Sequence, residues 1–138
     1  MKRMIHELEI KNMLRMANEA LDRAYVPYSG FRVGACLKGV SGAYYLGCNI
    51  ENAAYSPSNC AERTAVFKAV SEGEREFEAL AIVSTGEQPA MPCGVCRQVL
   101  VEFCDPEMPI ICSNRGGKYN IKTLGELLPF AFTKEDLT

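Results

Sequence analysis

Residues 60–73 read "CAERTAVFKAVSEG", and residues 79–84 follow as "ALAIVS". In the first stretch Ala61, Ala65, Val66, Ala69 and Val70 recur at the spacing of one helix face, and Gly73 supplies an ending. The second is a continuous apolar run without alternation, the pattern of a strand covered on both faces. A helix feeding such a strand predicts an α/β domain. Downstream, Pro89 and Pro92 break the chain before a helix in "CGVCRQVLVEF" (93–103). A strand "PIIC" (109–112), a turn at Gly116-Gly117 and a Leu-rich C-terminal helix complete that half. Upstream, "IENAAYSPSN" (50–59) is loop-like, and "RVGACL" (32–37) and "AYYLGCN" (43–49) form a hairpin across a turn at 39–42. Before it, Ile10, Met13, Leu14, Ala17, Leu21 and Ala24 mark a first helix that ends ahead of "VPYSGF" (26–31). Helices alternating with strands predict one mixed sheet between helical layers, in a single domain over residues 1–138.

The totals narrow the class. A chain of 138 residues with 48% hydrophobic and 23% charged content fits one globular domain with a core of its own. A net charge of −2 provides no basic track for a phosphate backbone, so nucleic acid is not an expected partner. "MKRMIHELEI" (1–10) lacks the apolar run of a secretory signal, and no stretch has the length and apolarity of a membrane span; a cytoplasmic protein without membrane contact is expected. In a reducing compartment the seven cysteines read as thiols or metal ligands. Cys36, Cys48, Cys104 and Cys112 sit in apolar segments and read as small core residues.

The remaining cysteines fall elsewhere. Cys60 opens the second helix, while Cys93 and Cys96 lie in the first turn of the third. Helix starts carry unpaired N–H groups and the positive dipole end, both of which favour thiolates. Three thiolates suit Zn²⁺, and three protein ligands leave one position open, as in catalytic sites. A redox CxxC pair would have no use for Cys60. A structural site would want a fourth ligand, and the single histidine, His6, lies in a polar N-terminal segment and reads as a surface residue. Glu62 can stand beside the metal without binding it and shuttle protons. Three thiolates leave the site with excess negative charge, and Arg63 is a natural donor to the sulfurs; Arg97 reads as an alternative surface residue.

The runs "YVPYSGFRVGACL" (25–37), "GCNIENAAYSPSNCAERTAVFKA" (47–69), "PCGVCRQVLVEF" (92–103) and "LLPFAF" (127–132) together resemble the small homotetrameric cytidine deaminases, over nearly the whole chain. The resemblance implies a three-layer α/β/α fold with a sheet of about five strands. It also implies that Cys60, Cys93 and Cys96 bind zinc, and that Glu62 takes a proton from the zinc-bound water and returns protons to cytosine N3 and the departing ammonia. By the same resemblance the backbone N–H of Ala61 meets the pyrimidine carbonyl, Asn49 and Glu51 hold the ribose hydroxyls, and Phe31 walls the base. Tyr55 and Phe132 match positions that reach a neighbouring subunit's active site, which implies a homotetramer. A pocket built to pair hydroxyls rejects a ligand lacking them, so free cytosine is expected to react poorly.

The implied reaction is hydrolytic deamination of cytidine and deoxycytidine, in pyrimidine salvage. The blasticidin-type antibiotic deaminases resemble this family around the zinc, but "NIEN" (49–52) and "LLPFAF" favour the ordinary nucleoside. A zinc-stabilised binding module without catalysis is the rival of a different class, and it leaves Glu62 unexplained. Met91 stands where relatives often carry a small hydroxyl residue; the expected contribution there is a carbonyl, which any residue supplies.

Overall fold

The computed structural model describes residues 4–137. Five strands form one sheet in the order β2-β1-β3-β4-β5, with β1 (Val33–Gly39), β2 (Tyr44–Cys48), β3 (Phe77–Ser84), β4 (Pro109–Asn114) and β5 (Tyr119–Thr123). Only β3 and β4 run parallel, joined through the helix α3 (Gly94–Phe103); the other neighbours are antiparallel, so the sheet is mixed as expected.

Successive side chains alternate between two cores. Ala35, Leu37, Leu80, Ile82, Ile110 and Cys112 face α2 (Ala61–Ser71) and α3. Cys36, Ala79, Ala81, Val83 and Ile111 face α1 (Glu7–Leu21). Both faces are therefore apolar, which is why "ALAIVS" shows no alternation in sequence. The α1 layer comes close because β1 carries Gly34: a Cβ there would stand 2.1 Å from the Ala17 carbonyl oxygen.

The expectations differ from the structure in detail. α1 begins at Glu7, where the His6 Nδ1 accepts the Leu8 N–H at 3.3 Å, and ends at Leu21 rather than Ala24. Ala24 is apolar because it is buried in the following turn, where Arg32 Nη1 donates to its carbonyl at 2.8 Å. His6 is exposed, as expected. The reading of the C-terminal region as a turn followed by a helix missed β5, an edge strand with little apolar patterning. The expected Leu-rich helix is only α4 (Leu124–Leu127): a capping box of Thr123 and Glu126 starts it, and it stops at Leu128, which is out of helical geometry at φ −142° and ψ 74° ahead of Pro129. Cys36 and Cys112 are core residues, and burial pushes their thiols up to about 12 and about 11. Cys48 and Cys104 are only half-buried, because each ends its element at the rim of the core. Among the described residues no helix is long and apolar enough to cross a membrane.

Candidate active site

Two helix starts meet at one point. Cys60 is the N-cap residue of α2 and Cys93 that of α3, both in extended backbone conformation and neither side chain capping its own helix. Their thiols are thereby free to face outward from unpaired N–H groups. Cys96 adds a third sulfur from the first turn of α3, and the three Sγ atoms lie within 4.8 Å of one another. The start of α2 sits tightly on β2 because position 47 is glycine: a Cβ on Gly47 would stand 2.3 Å from the Ala61 carbonyl oxygen and 2.6 Å from the Ala65 nitrogen.

The cluster fits zinc. Tetrahedral zinc with sulfur at about 2.3 Å separates its ligands by roughly 3.8 Å, and Cys60 Sγ lies 3.7 Å from Cys93 Sγ. Arg63 Nη2 donates to Cys60 Sγ at 3.3 Å, while its buried Nε has no hydrogen-bond partner. Hydrogen bonding from Cys96, together with Arg63 and Cys93, holds the Cys60 thiol below its ordinary value against the opposing effect of burial. Cys96 moves the other way, raised by its bond to Cys60 and by burial. One sulfur of the pair thus ionises first, and Arg63 neutralises it. The Cys60 carbonyl accepts from the Thr64 hydroxyl at 3.1 Å and the Thr64 N–H at 3.0 Å, which fixes the backbone at Cys60.

Glu62 lies in the first turn of α2, 4% exposed. Burial, reinforced by the Cys60 charge, pushes its carboxyl up to about 7 against the pull of its own N–H and of Arg63. A group balanced near neutrality both accepts and donates protons. Ala61, the first helical residue, is buried with it.

A second cluster lies at the end of β2. Asn49 Oδ1 accepts the Val33 N–H at 2.9 Å and its Nδ2 donates to the Phe31 carbonyl at 2.8 Å. Glu51 Oε1 accepts the N–H groups of Tyr28 and Ser29, and Oε2 accepts the Ser29 hydroxyl. The Ser29 bond and those backbone donors hold the Glu51 carboxyl below its usual range. Phe31, Asn49 and Glu51 are thus assembled through one loop, with the Phe31 ring partly exposed. Tyr55 is exposed and in the left-handed region at φ 62°, and Phe132 is exposed with its carbonyl accepting from Gln98 Nε2 at 2.8 Å. A groove of about 640 Å³ between α3, α4 and the segment after it contains none of the three cysteines, so it is a separate feature.

Sequence reasoning missed two residues here. Ser29 supports Glu51, and its only signal was a hydroxyl inside the "PYSG" turn. Arg97, read as a surface residue, is part-buried with Nε and Nη1 both bonded to main-chain carbonyls.

Residues 8–112 match the family model described as the cytidine and deoxycytidylate deaminase zinc-binding region. This chain belongs to the cytidine deaminase family. It is 52% identical over 131 residues to a cytidine deaminase of Sporosarcina psychrophila, covering 95% of this chain and 96% of that protein. A cytidine deaminase of Halalkalibacterium halodurans is 48% identical over 125 residues, covering 91% and 95%. The crystal structure of the cytidine deaminase from Burkholderia pseudomallei superposes with a TM-score of 0.86 at 42% identity, covering 94% of this chain and all of that one. The fold is therefore that of the cytidine deaminases, and the family's metal is zinc, which suits the triple-cysteine cluster.

Proposed function

We propose that this protein hydrolyses cytidine and deoxycytidine to uridine and deoxyuridine, releasing ammonia, as a cytoplasmic enzyme of pyrimidine salvage. The observation that carries the reading is a buried carboxyl poised near neutrality, two residues from one of three clustered thiols. A metal site that only stabilised a fold would leave that carboxyl at a cost in desolvation with no return.

Cys60, Cys93 and Cys96 would hold the zinc, which when bound supplies Lewis-acid polarisation of a water and offsets developing negative charge. Glu62 accepts a proton from the attacking water and delivers it to N3 of cytosine. The oxygen of that water adds at C4; Glu62 then takes the remaining proton of the added hydroxyl and gives it to the exocyclic nitrogen, so that the C4–N bond breaks, ammonia leaves and the C4 carbonyl forms. Arg63 holds the Cys60 sulfur against its own charge. The Ala61 N–H, at a helix start without an intrahelical acceptor, donates to the pyrimidine carbonyl. Phe31 covers the base, and Asn49 and Glu51 take the ribose hydroxyls, already oriented by the loop at 28–33. One domain carries all of these parts.

We further read the working enzyme as a homotetramer in which Tyr55 and Phe132 complete a neighbour's site. Their support is exposure: Tyr55 is 75% and Phe132 60% exposed on the single chain, and Phe130 beside it is fully exposed. Apolar rings displayed in this way are suited to a protein partner.

Glu62→Gln tests the proton role. It should retain one zinc per chain while deamination falls by about 10²- to 10⁴-fold; turnover near that of the unmodified enzyme would remove Glu62 from the mechanism.

A further inference from the structure

Arg97 directly follows Cys96 on α3, and it holds the peptide on each side of Cys93. Its Nε donates to the Pro92 carbonyl at 2.7 Å, fixing the peptide that leads into Cys93. Its backbone N–H donates to the Cys93 carbonyl at 3.0 Å, fixing the peptide that leads out. The two peptide planes around a Cα set the direction of its side chain. Little else does so here: Cys93 is exposed, and the space where a Cβ on the adjoining Gly94 would stand has no neighbour within 4 Å.

The other arm of the guanidinium reaches the opposite end of the chain. Nη1 donates to the carbonyl of Leu127, the last residue of α4, at 2.6 Å. That carbonyl is one of the helix-end acceptors left without an intrahelical donor. The planar fork therefore joins the turn carrying Cys93 to the C-terminal segment, with its two bonds in one rigid group. Gln98, the next residue, donates its Nε2 to the Phe132 carbonyl at 2.8 Å, and among the described residues its side chain makes no hydrogen bond to the Pro92 or Cys93 carbonyl. The tether of the C-terminal segment and the tie to the metal turn can thus be separated by substitution.

We propose that Arg97 is a positioning residue that aims the Cys93 sulfur at the metal through the Pro92 carbonyl, while its other arm braces the guanidinium against Leu127. The inference rests on the reading of Cys93 as a zinc ligand. Arg97 touches neither substrate nor metal; it acts through two main-chain carbonyls.

The test measures zinc release from the fully loaded enzyme into a chromogenic chelator, well below each variant's melting temperature. Arg97→Met keeps the apolar stem and removes both side-chain bonds, and it should release zinc about 10- to 100-fold faster, the range for loss of a group that orients a metal ligand. Arg97→Lys, whose single ammonium head cannot span both carbonyls, should fall between. Gln98→Ala, which loosens the C-terminal segment without touching the Pro92 carbonyl, should release zinc no more than a few-fold faster. Release at the unmodified rate in both Arg97 variants overturns the proposal, as does Gln98→Ala matching Arg97→Met. If Arg97→Met does not fold, Arg97→Lys decides by the same criterion. Cys93→Ala, assayed alongside, separates the underlying reading: full zinc occupancy there removes Cys93 from the ligands, whatever the Arg97 variants do.

Discussion

At the scale of residues, the site divides into groups whose chemistry shows in their type and groups that act through others. Cys60, Cys93 and Cys96 stood out in sequence because three thiols at two helix starts have few structural uses, and Glu62 stood out only beside them, since a carboxyl in a first helical turn is favoured by the helix dipole in any case. Arg63 was legible by charge balance, and its Nη2 indeed reaches Cys60 Sγ at 3.3 Å. Removing that donor leaves the thiolate charge unopposed, so Arg63→Gln should weaken zinc binding by about 10- to 100-fold, measured by competition with a chelator of known affinity. Ser29 and Arg97 were not legible: one orients Glu51 and the other binds carbonyls, and neither partner is visible in a one-dimensional pattern. Glu51 gives a second test. Glu51→Ala should cut kcat/KM for cytidine while leaving the low rate on free cytosine unchanged, because only the nucleoside has hydroxyls to lose. An equal fall on both would place Glu51 outside the sugar pocket.

Among the elements, the helices that carry the clustered cysteines were the most readable, since their apolar spacing and their breaks agree. The edges were not. β5 reads as polar because a strand at the sheet edge is covered on one side at most, and α4 is held by a capping box and stopped by Pro129 rather than by any periodicity. The end of α1 was set too late because burial of Ala24 in a turn imitates a helix face. Position 47 carries the sharpest prediction at this scale. The start of α2, and with it Cys60, sits where only a glycine lets backbone approach backbone, so Gly47→Ala must push α2 off the sheet. The expected cost is about 1–3 kcal/mol in chemical denaturation, accompanied by incomplete zinc loading; unchanged stability and loading would mean that the α2 start is not held by this approach.

For the whole molecule, the decisive feature is a sheet buried on both faces, with one helix beneath and the two cysteine-bearing helices above. That layering was predictable from unbroken apolar strands, and it puts the two helix starts that carry Cys60, Cys93 and Cys96 side by side. Assembly belongs to this scale too. If Tyr55 and Phe132 complete a neighbour's pocket, the active species should have four times the chain mass of 15.2 kDa, and dilution to monomers should abolish turnover while leaving the monomer folded by circular dichroism. Every role proposed for a residue of the site depends on zinc-dependent cytidine deamination. The most direct measurement follows the ultraviolet change as cytidine becomes uridine on purified enzyme of known mass and zinc content. Turnover should track bound zinc, vanish when a chelator strips the metal, and return when zinc is restored. Deamination that persists in fully zinc-free protein, or none in zinc-loaded protein, would contradict it.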